Sequence, residues 1–193
     1  MENKQRELRS LVVLEPKEEG YIVEGYATKW EPYLLYEMGG QKTYERVDRN
    51  AFDEADMRDV IMQYDHSGKV FARQSNGTLE LKIDDVGLFI RADLSKSQAS
   101  RELYEEIKAG LITKMSWAFT IKEHSWDEQI RLFSVLKVKK VFDVSAVSIP
   151  ANPDSEINAR TFVLDGVIQQ MQQELLERKK KEFVLIMTFE KEQ

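Results

Sequence analysis

The chain has 193 residues, 32% of them charged, and a formal net charge of -6. That balance argues for a soluble protein and against a general nucleic-acid binder, which carries a basic excess. The absence of cysteine excludes disulfides, thiolate nucleophiles and cysteine-ligated metal, and with His66 and His124 the only histidines, a histidine-rich metal site is nearly excluded too.

The length predicts one domain with a tail. The first residues, Met-Glu-Asn-Lys-Gln-Arg-Glu, have no apolar core of a secretory signal. No stretch approaches the roughly 20 apolar residues needed to cross a bilayer. The expectation is a protein made and kept in a cytoplasm, with no membrane and no nucleic-acid partner.

Leu11 to Leu14 reads as a first strand, closed by the turn Pro16–Gly20, with Tyr21 to Lys29 as its hairpin partner. Trp30 to Gly40, with Pro32 and a Gly-Gly pair, reads as a loop and a flap; Tyr44 to Val47 reads as a short strand. Asn50 can cap a short helix ending near Arg58, with Asp53 returning the hydrogen bond. Val60 to His66 follows as a strand. Val70 to Arg73 and Thr78 to Ile83 read as a hairpin around Asn76-Gly77. After the turn Asp84–Gly87 comes the strand Leu88 to Leu94. The clearest helix begins near Ser97 or Ser100, places Ala99, Leu103, Tyr104 and Ile107 on one face, and stops at Gly110.

Met115, Trp117, Phe119 and Ile121 then alternate with Ser116, Ala118 and Thr120, the period-2 pattern of a strand with unlike faces. A charged turn (Glu123 to Glu128), a strand Ile130 to Val135 and a last strand Lys139 to Ile149 complete the sheet, and Pro150–Pro153 ends it. Short strands at turn-separated spacing with few helices predict a mainly β fold with α insertions, a small antiparallel barrel closed or nearly so. Composition shifts past Arg160. Asp165 to Lys181 carries Val167, Ile168, Met171, Leu175 and Leu176 at helical spacing, and the apolar run Phe183 to Phe189 closes the chain. The expected division is a β domain over 1–160 and a helical tail over 161–193.

Three side chains invite chemistry. Ser116 stands among small residues, leaving room for an approaching group, although a lone serine on a strand is ordinarily structural. His66, at a strand end beside Ser67-Gly68, can act as a general base, although most such histidines merely face solvent. Asp143 shares a face with Val141, Ser145 and Val147, where an unpaired carboxylate is costly. It can orient His66 in a nucleophile–base–orienter set or pair with a nearby Lys or Arg, and spacing favours the ion pair.

Several segments resemble the prohead (capsid maturation) proteases of tailed bacteriophages: Glu24–Ala27, Asn50-Ala-Phe52, Asp65-His66, Asn76–Leu79, Asp85–Leu88, Gly110–Phe119 and Asp143–Pro153. Each is weak alone; their order and spacing over residues 10–160 are specific. The chain departs from the usual pattern at Asn50, where glycine commonly precedes Ala-Phe, and at Phe71-Ala-Arg73, where a Leu-Gly-Arg run is usual. The family is similar in fold to the herpesvirus assembly proteases. The resemblance implies a serine endopeptidase without cofactor or metal, with Ser116 as nucleophile, His66 as general base and Asp143 in the third position. Asp65 is the fallback for that third place, its side chain expected to point away from the face of His66. Backbone N–H groups near Asn152 are the guess for an oxyanion site.

The implied substrates are major capsid protein extensions, scaffold and the chain itself. The implied place is the immature capsid in the host bacterial cytoplasm, with self-association possible. The competing reading is a non-catalytic capsid scaffolding or assembly factor in which the tail does the work. A small-ligand-binding barrel is weaker still, since no cavity can be assigned from the sequence.

Overall fold

The structure, a computed structural model, describes residues 6–17, 20–148 and 176. All but the last belong to the first of the two units into which the chain divides, Met1–Ala159. In chain order the elements are β1 (Glu7–Val13), β2 (Glu15–Pro16), β3 (Ile22–Lys29), β4 (Tyr33–Met38), β5 (Gln41–Val47), β6 (Ile61–Tyr64) and β7 (Ser67–Arg73). A 3-10 turn (Gln74–Asn76) then leads to β8 (Leu79–Ile83), β9 (Gly87–Asp93), α1 (Gln98–Lys108), β10 (Lys114–Asp127) and β11 (Leu132–Val147). The fold is mainly β, as the strand count implied.

The strands form two sheets. One runs β1-β10-β11-β5-β4, with β6 and β7 attached beside β11; the other runs β2-β3-β9-β8. No closed barrel is found among the described residues, and the pairing is not wholly antiparallel. β11 is one continuous strand where the sequence suggested two, long enough to seat two short partners, β5 at Leu132–Val135 and β6 at Asp143–Ala146, both parallel to it.

Other local expectations are corrected by long-range pairing. β1 pairs with β10, so the hairpin expected of it with β3 is made only by the two residues of β2. Asn76-Gly77 does not close a hairpin: Gly77 takes a left-handed φ of 75° and turns the chain from β7 in one sheet to β8 in the other. The expected flap Trp30–Gly40 contains β4, because Gly39 and Gly40 both take positive φ and make a tight two-residue link to β5. Asn50–Arg58 is a series of turns. Its backbone is claimed by β11 through Val138 N–H to Ala51 O (2.8 Å), Asp56 N–H to Lys139 O (2.9 Å) and Val141 N–H to Asp56 O (3.0 Å), which a helix would forbid. The strands expected over Thr78–Ile83 and Leu88–Leu94 are found as β8 and β9, and α1 matches in detail. Ser97 accepts from the Ser100 N–H as its cap, Gly110 follows its end with φ 74°, and Leu103, Tyr104 and Ile107 are buried.

The core shows why β10 and β11 dominate. Trp117, Val144, Met62 and Ala72 are successive partners across β10, β11, β6 and β7 and share one buried face. Trp117 stacks on Phe119 at 3.7 Å and meets Phe52 at 5.6 Å. Burial of each such side chain contributes about 1.5–3 kcal/mol. The β10–β11 ribbon does not run straight. Its register shifts four times between Ala118 and His124, and such bulges bend a ribbon sharply.

The bend is visible in one contact. Arg9 sits level with Trp117, and Glu45 level with Phe133, which faces Trp126. On a flat ribbon those levels lie about 30 Å apart at 3.3 Å per residue. Yet Arg9 Nε donates to Glu45 Oε1 at 2.6 Å and Nη2 to Oε2 at 2.7 Å. The sheet therefore curls over its own aromatic core and is pinned by a buried bidentate pair, which Glu7 and the Tyr33 hydroxyl join.

Candidate active site

The opposite face of the same strands carries the polar groups. Ser116 lies directly across from Ser145, and Ala118 from Asp143, on antiparallel β10 and β11. Cross-strand partners share a face, so Ser116, Ser145 and Asp143 all project away from Trp117. β6 adds Ile61 beside Asp143 and Gln63 beside Ser145 on that face.

His66 arrives by a different route. β6 ends at Tyr64, and Asp65 and His66 form the two-residue link to Ser67, with φ of 46° and 55°. Asp and His tolerate this left-handed conformation better than most residues. The turn breaks the strand alternation and swings the imidazole over the face of Gln63, not that of Met62 and Tyr64 as an extended strand would require. His66 Nδ1 lies 2.6 Å from Asp143 Oδ1, and Nε2 lies 2.7 Å from Ser116 Oγ. Because a carboxylate only accepts, Nδ1 carries the proton and Nε2 is left to accept from the Ser116 hydroxyl.

The surroundings are dry. Ser116 is 3% exposed, Asp143 1%, and the His66 side chain 15%. Asp143 Oδ1 takes a second hydrogen bond from the buried Ser145 hydroxyl at 2.7 Å, while Oδ2 is buried without a protein donor. The ion pair with Lys or Arg that spacing favoured for Asp143 is not what its carboxylate makes.

The Asp65 carboxylate turns to Ser148, not to the His66 ring. It accepts from Ser148 N–H at 3.0 Å and Ser148 Oγ at 2.9 Å, and the Asp65 N–H donates to Ala146 O at 3.0 Å. These three bonds tie the turn bearing His66 to the end of the strand bearing Asp143. The other histidine, His124, is exposed and stacks on Phe133. Ser116, His66 and Asp143, the three candidates of the sequence, meet here; the bond from Ser145 to Asp143 is an addition, signalled in the sequence only by the face the two share. The suggested oxyanion donors near Asn152 lie outside the described residues, as does the expected helical tail apart from Leu176.

Residues 9–170 match the model of a family described as caudovirus prohead serine protease. The chain belongs to that family. Among curated relatives, the prohead protease of Escherichia phage T5 is 28% identical over 102 residues, 53% of this chain and 46% of that protein. The chain thus matches a little under half the length of that relative. No solved structure matches. The family's description names a serine protease of the prohead. Among the described residues no helix is long and apolar enough to cross a membrane.

Proposed function

We propose that this chain is a serine endopeptidase of prohead maturation, with Ser116 as nucleophile, His66 as general base and Asp143 as the group that orients it. The observation that carries the reading is the continuous relay from Asp143 Oδ1 through both ring nitrogens to Ser116 Oγ, with links of 2.6 and 2.7 Å. Ser116 Oγ attacks the scissile carbonyl while its proton passes to His66 Nε2. The imidazolium then protonates the leaving amine as the acyl-enzyme forms, and water, deprotonated by the same nitrogen, releases the acid. Asp143 fixes the tautomer and faces the positive charge that arrives on the ring. Its Oδ2 has no protein donor, so that charge meets a carboxylate only partly answered by hydrogen bonds.

Its substrates are capsid-protein extensions or scaffold inside the immature particle, and its own chain. The reading predicts that the chain, co-expressed with the major capsid protein of its phage, shortens that protein to a defined mass. Ser116→Ala and His66→Ala, each folded by circular dichroism, reduce the rate by at least about 1,000-fold. Cleavage that persists in both variants would refute the assignment.

A further inference from the structure

Beside the site, with Asp143 in its wall, lies a pocket of about 200 Å³ whose lining includes Arg6, Arg58, Ile61, Arg73, Lys140 and Phe142. Its position follows from register. Leu8, Ala118, Asp143, Ile61 and Arg73 are successive partners across β1, β10, β11, β6 and β7, so they form one row on the face that bears Ser116. Ser116 and Ser145 belong to the row two residues along, about 7 Å away. Phe142 is the residue that the register skips between Asp143 and Val141, and its ring is covered by the Arg6 guanidinium at 4.2 Å and Lys140 Nζ at 5.4 Å.

Four cations converge here in a chain whose net charge is -6. They are only partly answered. Asp56 pairs with Arg58 at 2.9 Å and with Lys140 at 3.5 Å, Asp59 pairs with Arg73 at 2.5 Å, and Asp143 is engaged by His66 and Ser145. Arg6 has no carboxylate partner among the described residues, and Arg58, which holds Asp56 through Nε and Nη2, has a side chain that is 90% exposed. Ile61 and Phe142 supply an apolar floor. The volume equals roughly six or seven waters at about 30 Å³ each, room for a short side chain ending in a carboxylate.

We infer that this pocket is a specificity subsite that takes an acidic side chain, Asp or Glu, of the peptide being cleaved, about two to four residues from the scissile bond. The inference rests on the proposed function for the location of that bond, since an extended peptide covers about 3.3–3.6 Å per residue. Guanidinium groups bind carboxylates with fork geometry, and the Phe142 ring holds the Arg6 guanidinium over it at 4.2 Å.

The test separates binding from cleavage. Full-length Ser116→Ala protein is titrated with acetylated, amidated alanine octapeptides carrying one Glu, or one Gln, at each position in turn. At one position the Glu peptide binds about tenfold more tightly than its Gln twin, as expected for a hydrogen-bonded charge. The preference falls toward unity in Arg58→Ala and in Arg6→Ala, two exposed sites whose replacement is checked by thermal melting, and it shrinks as salt is raised. Equal binding of Glu and Gln at every position, or a preference unchanged in both variants, overturns the subsite. Wild-type protein that binds the Glu peptide selectively yet cleaves no capsid protein would instead count against the protease assignment alone.

Discussion

At the scale of single residues, the site depends on two kinds of group that the same substitution logic separates. Asp143 touches His66, the proposed general base, whereas Asp65 stands at one remove and ties the turn to Ser148. Asp143→Asn places an amide where a carboxylate should fix the tautomer, so kcat on capsid protein falls by about 10⁴ as in the general serine-protease template. Asp65→Ala loosens the turn, lowering kcat by roughly tenfold with KM little changed, and Asp65→Asn, which can still meet Ser148, restores most of it. Equal losses in Asp65→Ala and Asp65→Asn would show that the charge of Asp65 matters directly. Ser116 and Asp143 were legible because each stands out in a period-2 strand. The role of Asp65 was not, since it depends on β6 lying parallel to the end of β11, a pairing no local pattern announces. His66 was found for a partly mistaken reason, because its left-handed turn moves it off the face that alternation assigns.

At the scale of elements, local chemistry was a good guide to where strands and α1 occur and a poor guide to what they pair with. Asn76-Gly77 is a turn, as its residues demand, yet its two strands join different sheets. Asn50–Arg58 has helix-capping residues, but β11 captures its carbonyls. Close approach is equally hidden from sequence. Gly87 faces Lys29 across β9 and β3, and a Cβ there would stand 2.0 Å from Thr28 O and 2.9 Å from Lys29 Cα, both backbone atoms of β3. Gly87→Ala therefore lowers unfolding stability by about 1–3 kcal/mol or more, read as a reduced urea midpoint with unchanged slope. A midpoint within error of wild type would mean that β3 and β9 separate easily, contrary to the packing described.

At the scale of the whole described unit, the mainly β class expected of the sequence holds, while the closed or nearly closed barrel gives way to two sheets, one of them curled. Curling comes from the bulged β10–β11 ribbon, and its far ends are joined by side chains, Arg9 to Glu45. Burial works against the charge on Arg9, but Glu45, Tyr33 and Glu7 together outweigh it and raise the Arg9 pKa; burial and Glu45 together hold the Tyr33 phenol well above its ordinary value. Glu45→Ala leaves that guanidinium buried without its bidentate partner and destabilises the protein by about 3–5 kcal/mol, a loss that thermal melting would register as a fall of several degrees. A melt unchanged by Glu45→Ala would show that the curled sheet needs no such pin. The site lies on the outer face of this curl, where the rigid ribbon fixes Ser116 and Asp143 and only His66 depends on a turn.

The claim on which the rest hangs is that Ser116 is a nucleophile activated by His66. Its most direct measurement is the reaction of full-length protein with a fluorophosphonate, followed by intact mass and peptide mapping. One adduct is expected, on Ser116, absent in Ser116→Ala and formed far more slowly in His66→Ala. An adduct on another serine, or equal labelling of wild type and Ser116→Ala, would contradict it.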